Sequence, residues 1–189
     1  MACAEFGDDA PAGLSQVLTG DRDIGETMVA SESVPLISAT GSCAMGRIVG
    51  AKVAGRFGKS ILELGGNNAI TVTAHADLDL AFQGIVFGTV GTCGQRCTTT
   101  RRLFVHEDVY DDLIPRIKSA FAGVSIGNPL DENTLMGPLI DEDSFNNMQN
   151  ALEVAKSNGG EVTGGGRTLA DEYPNAYYVN AALVEMKGE

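Results

Sequence analysis

Short apolar runs alternate along the chain with segments of helical period, and glycines punctuate most of the changes. Residues 1–20 offer only one short apolar edge, Leu14, Val17 and Leu18. Thr19–Gly25 reads as a turn leading into a short helix over Glu26–Ser31. Val34–Thr40 is apolar and β-prone and predicts a strand that ends in Gly41-Ser42. A helix follows from Ser42 to about Phe57, with Met45, Ile48, Val49, Val53 and Phe57 on one side. Ser60–Leu64 is a second short strand stopped by Gly65-Gly66, and Asn68–Thr73 alternates as a half-buried strand does.

Asp77 suits an N-cap for a helix carrying Leu78, Leu80, Ala81, Ile85 and Val86 toward Gly91. Beyond a loop rich in small and polar residues, Leu103–Glu107 predicts a strand. Val109–Phe121 predicts a helix with Leu113, Ile114, Ile117 and Phe121 inward. Pro115 lies deep in that helix, which predicts a loose first turn or a later start. Gly127–Pro129 is a turn. Asp141–Asn158 is a helix with Phe145, Met148, Leu152 and Ala155 at helical spacing, ended by Gly159-Gly160. Glu161–Thr163 and Tyr177–Met186 are strand candidates around Gly164–Gly166. Strands alternating with helices predict an α/β protein with a largely parallel sheet.

Composition narrows the function classes. In 189 residues, 25 acidic against 13 basic side chains give a net charge of −12, and 43% of residues are apolar. That apolar share supports a packed core, and the acidity offers nothing to a phosphate backbone, so nucleic acid is excluded as an expected partner. No apolar stretch approaches the ~18 residues of a membrane span, and Met1–Ala10 lacks the pattern of a signal peptide. Cys3, Cys43, Cys93 and Cys97 have no metal-binding spacing and only His75 and His106 to help them, so no metal site is expected. Reduced thiols in a cytoplasmic protein are the expectation.

Three places carry candidate chemistry. In Gly91-Thr92-Cys93-Gly94-Gln95-Arg96-Cys97-Thr98-Thr99-Thr100 a cysteine follows an arginine, with Arg101 and Arg102 close behind. Neighbouring cations lower a thiol pKa, and only the thiolate is a nucleophile. A buried, inert cysteine is the common alternative, but these polar neighbours are not those of a packed core. Gly41-Ser42-Cys43-Ala44-Met45-Gly46 is a strand–glycine–helix turn suited to an anion, although it lacks the G-x-G-x-x-G pattern. Dinucleotide binding and an ordinary βα turn both remain open for it. Glu63, between Leu62 and Leu64, is either a buried carboxylate with a raised pKa or the solvated face of an alternating strand.

Leu62-Glu63-Leu64-Gly65-Gly66-Asn67-Asn68-Ala69 together with Gly94-Gln95-Arg96-Cys97-Thr98-Thr99-Thr100-Arg101-Arg102 resembles the paired signature of the aldehyde dehydrogenase superfamily. Thr40-Gly41-Ser42, Arg56–Lys59, Gly127–Pro129 and Met136–Ile140 agree, and the likeness to the antiquitin-like branch runs from about Leu14 to Met186. The resemblance implies the end of a Rossmann-like cofactor domain over residues 1–62 and most of an α/β catalytic domain over residues 63–189. It implies that Cys97 attacks an aldehyde, α-aminoadipic semialdehyde in this branch, and that NAD, or NADP, takes the hydride. Glu63 would then activate the water that releases the acid. Gly41, Ser42, Gly46, Leu64 and Gly65 would line the cofactor, and Arg96 would grip a distal carboxylate of the substrate or serve the loop structurally.

The likeness is incomplete in instructive ways. Relatives usually carry Thr where this chain has Cys43 and Phe where it has Ala39, while Thr99 replaces a residue that is often smaller. Family members are also longer, so the likeness implies a chain that starts inside the cofactor domain and lacks the oxyanion asparagine and two ribose-binding groups. A homo-oligomer is expected of the full-length protein. A catalytically incomplete fragment acting as a structural or interaction module is the alternative expectation, with a thiol-redox or nucleotide-binding domain a third.

Overall fold

The structure is a computed structural model that describes residue 11 and residues 13–186. Met1–Ala10, with Cys3, lies outside the described residues. The chain divides into two compact units, Met1–Gly65 and Gly66–Glu189.

The first unit begins with helix α1 (Arg22–Ala30), followed by β1 (Leu36–Gly41), α2 (Cys43–Gly55) and β2 (Lys59–Leu64). Helix α1 starts earlier than the glycines suggested, because Asp21 sits at its N-cap, Asp23 in its first turn, and Arg22 pairs with Glu26 at 2.8 Å. The two strands run parallel from Leu36↔Lys59 to Gly41↔Leu64, with α2 as the crossover. Val29, Ile37, Val49 and Val53 form the core, joined by Met45 and Leu62 at its edge.

Phe57 does not join that face. It is 99% exposed with φ 60, because α2 ends in a Schellman arrangement that needs a left-handed residue there. Gly58 N donates to Val53 O and Phe57 N to Ala54 O, and Arg56 ties the end down by donating to the Val29 and Val34 carbonyls. Ile48, too, is largely exposed. The two units divide between Gly65 and Gly66, and β2 stays laddered to β1 through Leu64, which keeps Glu63 in the first unit.

The second unit opens with β3 (Asn68–Val72), α3 (Leu78–Val90) and β4 (Thr100–Val105), again a parallel pair joined by a helix. Asp77 caps α3 by accepting from the Asp79 and Leu80 amides, although Leu80 points outward and is 69% exposed. His106 ends β4 early, because its side chain caps α4 (Glu107–Ala122) at Asp108 N. Helix α4 runs straight through Pro115. The proline costs about 3 kcal/mol, and full burial of Leu113 and Ile117 with Ile114 and Phe121 nearby offsets it.

Helix α5 (Glu142–Ser157) is capped by Asp141, which accepts from Ser144 N at 2.7 Å, and leaves Phe145, Met148, Leu152 and Ala155 half-buried. The glycine-rich tail forms β5 (Glu161–Gly164), β6 (Arg167–Thr168), β7 (Tyr178–Val179) and β8 (Ala182–Glu185). Asn180 and Ala181 split the expected single strand over 177–186 into two. These strands pair antiparallel, β5 with β8 and β6 with β7, so the fold is α/β but the sheets are not largely parallel. Among these described strands, parallel pairing occurs where a helix provides the crossover. The core of this unit is Val72, Ile85, Val109, Leu113, Ile114, Ile117 and Phe121.

Candidate active site

In the first unit the chain leaves β1 at Gly41 and enters α2 through Ser42, whose extended backbone lets Oγ accept from Met45 N at 3.1 Å. One first-turn amide is thereby satisfied, and the rest present partial positive charge to solvent beside an exposed hydroxyl. A cleft of about 570 Å³ opens here between α1, β1 and α2. Val29, Met45, Ile48 and Val49 line it with apolar surface, and Arg22, Glu26, Thr40, Ser42 and Lys52 add polar and charged groups.

Gly41 and Ser42 stand at this turn, whereas Gly46 is buried beneath β2. A Cβ at Gly46 would come within 2.6 Å of the Leu64 methyls, so the glycine lets helix and strand close together. Leu64 is half-buried and Gly65 exposed, its carbonyl accepting from the Cys43 thiol at 3.4 Å. Glu63 faces solvent, opposite Thr40 in the register, while Leu62 and Leu64 turn inward. The alternating-strand arrangement is the one adopted.

In the second unit a 3-10 turn over Gly91–Gly94 leads to the cysteine, with Thr92 and Cys93 both left-handed at φ 51 and φ 53. Such backbone is costly for residues with a side chain, at about 1–3 kcal/mol each. Cys97 lies exposed in the tight turn Arg96–Thr99, closed by Thr99 N donating to Arg96 O at 3.1 Å. Thr99 is only 4% exposed, and its hydroxyl accepts from Arg96 N at 3.1 Å. Asn68, at the head of β3, donates from Nδ2 to the carbonyls of Cys97 at 2.6 Å and Thr99 at 2.9 Å. Gln95 bridges this loop to residues 138–140, accepting from Ile140 N at 2.9 Å.

The three arginines around Cys97 all have partners. Arg96 folds back onto α3, its guanidinium 5.0 Å from the Phe87 ring centroid and donating to Phe87 O at 3.2 Å. Its Nε is buried without a partner among the described residues. Arg102 donates to Asn67 O, and Arg101 reaches Gly94 O. Burial pushes the Cys93 thiol up, whereas Cys43 and Cys97 are exposed and all three are free thiols.

Asn68, Gln95 and Thr99 hold the cysteine turn, and sequence reasoning gave none of them that task. The one signal available was their place beside Gly65-Gly66 and Cys97. Among the described residues no group of three or more His, Cys, Asp or Glu could hold a metal ion, and no helix is long and apolar enough to cross a membrane.

Known proteins resemble this chain in sequence and in fold. Aldehyde dehydrogenase family 7 member A1 of Pisum sativum is 42% identical over 95% of this chain and 35% of its own length. The α-aminoadipic semialdehyde dehydrogenase of Mus musculus is 44% identical over 88% of this chain and 31% of its own. The chain thus spans about a third of the length of the curated relatives it matches. Among solved structures, lactaldehyde dehydrogenase from Escherichia coli superposes with a TM-score of 0.79 at 31% identity, over 85% of this chain and 33% of that one. Betaine aldehyde dehydrogenase from Staphylococcus aureus, solved in complex with NAD+, gives 0.80 at 26% identity, over 85% and 32%. The model of the aldehyde dehydrogenase family matches residues 1–187, and this chain belongs to that family.

Proposed function

We propose that this chain serves the NAD(P)+-dependent oxidation of an aldehyde to a carboxylic acid through a covalent intermediate on Cys97. The proposal rests on Cys97: an exposed thiol on a turn whose carbonyls are pinned from β3 and whose flanking Thr99 is buried. A nucleophile held in one orientation avoids the entropy of finding it during reaction.

The cleft beside Ser42 fits the dinucleotide. Its apolar lining suits a flat ring, and the Ser42 hydroxyl and open α2 amides suit a diphosphate. The nicotinamide supplies the hydride acceptor when bound, and Leu64 and Gly65 are the backbone we assign to its ring face. Cys97 Sγ adds to the aldehyde carbon to give a thiohemiacetal, which becomes a thioester on loss of hydride. Glu63 takes a proton from the water that attacks the thioester, and the acid leaves as Cys97 is restored.

The names of the relatives in mouse, rat and cattle support α-aminoadipic semialdehyde as the substrate. A homo-oligomer and a cytoplasmic location complete the proposal. The test mixes the protein with NAD+ and the semialdehyde and follows NADH absorbance, with Cys97→Ala as control. Wild type should produce NADH and Cys97→Ala none, while Glu63→Gln should give about one NADH per Cys97 and then stall. A wild-type signal no greater than that of Cys97→Ala would overturn catalysis and leave the non-catalytic module.

A further inference from the structure

Residues 138–140 make one rung of strand between two partners. Leu139 is buried, and its N–H donates to Tyr177 O at 2.9 Å in an antiparallel bridge. In extended backbone the carbonyl before a residue and the N–H after it point away from that residue's own pair. On that other side stands Gln95, whose Oε1 accepts from Ile140 N at 2.9 Å and whose Nε2 donates to Pro138 O at 3.4 Å. A single side-chain amide thus fills the place of a second strand.

Nε2 also faces back into its own loop, donating to Thr92 O at 3.4 Å. These partners fix the orientation of the amide, since the flipped form would set donor against donor and an oxygen against two carbonyls. Among the described residues no other hydrogen bond joins residues 91–99 to residues 136–140. The far end of the bridge is firm, because the Tyr177 ring stacks on Phe145 of α5 at 5.7 Å and lies 4.9 Å from the Arg167 guanidinium.

Asn68 ties the cysteine turn to β3, and Arg96 ties it to α3. Two attachments leave a turn free to rock about the line that joins them, and a third removes that freedom. We infer that Gln95 is a positioning residue for Cys97, fixing the rotation of the cysteine turn through its amide bridge to residues 138–140. This deepens the proposed function, which makes Cys97 the nucleophile.

Two reagents applied to the whole protein separate positioning from loss of structure, with peptide mass spectrometry reading both at Cys97. With p-nitrophenyl acetate, Sγ bonds to the acetyl carbon and p-nitrophenolate leaves, so the thiolate must be aligned on a carbonyl and no cofactor is needed. Iodoacetamide alkylates an exposed thiolate from any open direction and releases iodide. Gln95→Met keeps the side-chain length and removes both polar partners, while Gln95→Glu keeps an acceptor for Ile140 N and loses the donor. Acylation should slow about 10-fold in Gln95→Met, short of the ~10²-fold of a full displacement because Asn68 remains, and by less in Gln95→Glu. Alkylation should stay within about 2-fold, since Cys97 remains exposed. Amide exchange over residues 136–141 should quicken in Gln95→Met. Equal acylation in wild type and Gln95→Met overturns the inference, as does an equal change with both reagents. Should Gln95→Met not fold, the ratio of acylation to alkylation in Gln95→Glu decides, and a wild-type ratio overturns it. NADH formation by wild type is read separately: its absence removes the proposed aldehyde oxidation, while the ratio at Cys97 still decides the role of Gln95.

Discussion

Asn68 holds the backbone on both sides of the cysteine turn, its single amide nitrogen donating to Cys97 O and Thr99 O at 2.6 and 2.9 Å. Because both partners are acceptors, an aspartate of the same size would turn a negative oxygen toward two carbonyls. Asn68→Asp should lose about 1–3 kcal/mol of stability from the unsatisfied carbonyls. It should also lose about 10²-fold in kcat/KM, the scale of a nucleophile displaced by roughly 1 Å. Urea denaturation and steady-state kinetics check the two effects, and unchanged kcat/KM in a folded Asn68→Asp protein would count against Asn68 as the anchor of Cys97.

Burial ranks the cysteines. Cys93 is half-buried with its thiol pushed up, while Cys43 and Cys97 are exposed. Since the thiolate is the reactive form, iodoacetamide at pH 8 should label Cys97 and Cys43 before Cys93. Peptide mass spectrometry over a time course reads the order. Labelling of Cys93 first would mean that the left-handed turn at Thr92-Cys93 opens readily.

The elements that sequence reasoning placed well are those whose signals are local. Asp77 and Asp141 cap helices where an acidic residue precedes an apolar period, and the β1–Ser42–α2 turn follows from its glycine. What could not be read depends on how a helix ends or on partners distant in sequence. Phe57 fits the helical period, yet the end of α2 needs a left-handed residue there and sends it to solvent. Tyr177–Met186 looks like one strand because the pattern cannot show that β5 and β6 divide it between them. The same holds at the site. Cys97 is legible from its polar neighbours, but the tie from Asn68 spans the length of α3 and leaves no periodic trace.

Glu185 on β8 joins Lys118 and Tyr110 of α4, the tyrosine donating at 2.6 Å. The Lys118 ammonium and then the Tyr110 hydroxyl hold the Glu185 carboxyl below its usual range. The same hydrogen bond to Glu185, with burial adding, pushes Tyr110 up to about 12. A lowered carboxyl contributes stability above its ordinary titration range and loses it as pH falls through the lowered value. A raised phenol contributes fully below about 10 and loses its share as pH rises toward about 12. Urea unfolding should therefore show an acid limb that Glu185→Gln flattens and an alkaline limb that Tyr110→Phe flattens. At neutral pH, Tyr110→Phe should cost about 1.5–3 kcal/mol, the range for a hydrogen bond to a charged group. An alkaline limb in Tyr110→Phe identical to wild type would show that the pair does not form.

Arg96 precedes the nucleophile, and two roles compete for it. As a carboxylate clamp its guanidinium would need a free fork, but it lies over Phe87 and donates to a carbonyl in the last turns of α3. A cation there interacts with both the ring face and the negative end of the helix, worth about 1–2 kcal/mol together. Lysine keeps the charge and loses the planar stack and fork. Arg96→Lys should therefore destabilise the protein by about 1 kcal/mol. It should also raise KM equally for an aldehyde bearing a distal carboxylate and for an uncharged aldehyde of similar length. Both effects come from a turn that has lost its support beside Cys97. A rise in KM confined to the carboxylate-bearing aldehyde, with stability unchanged, would instead assign Arg96 to the substrate.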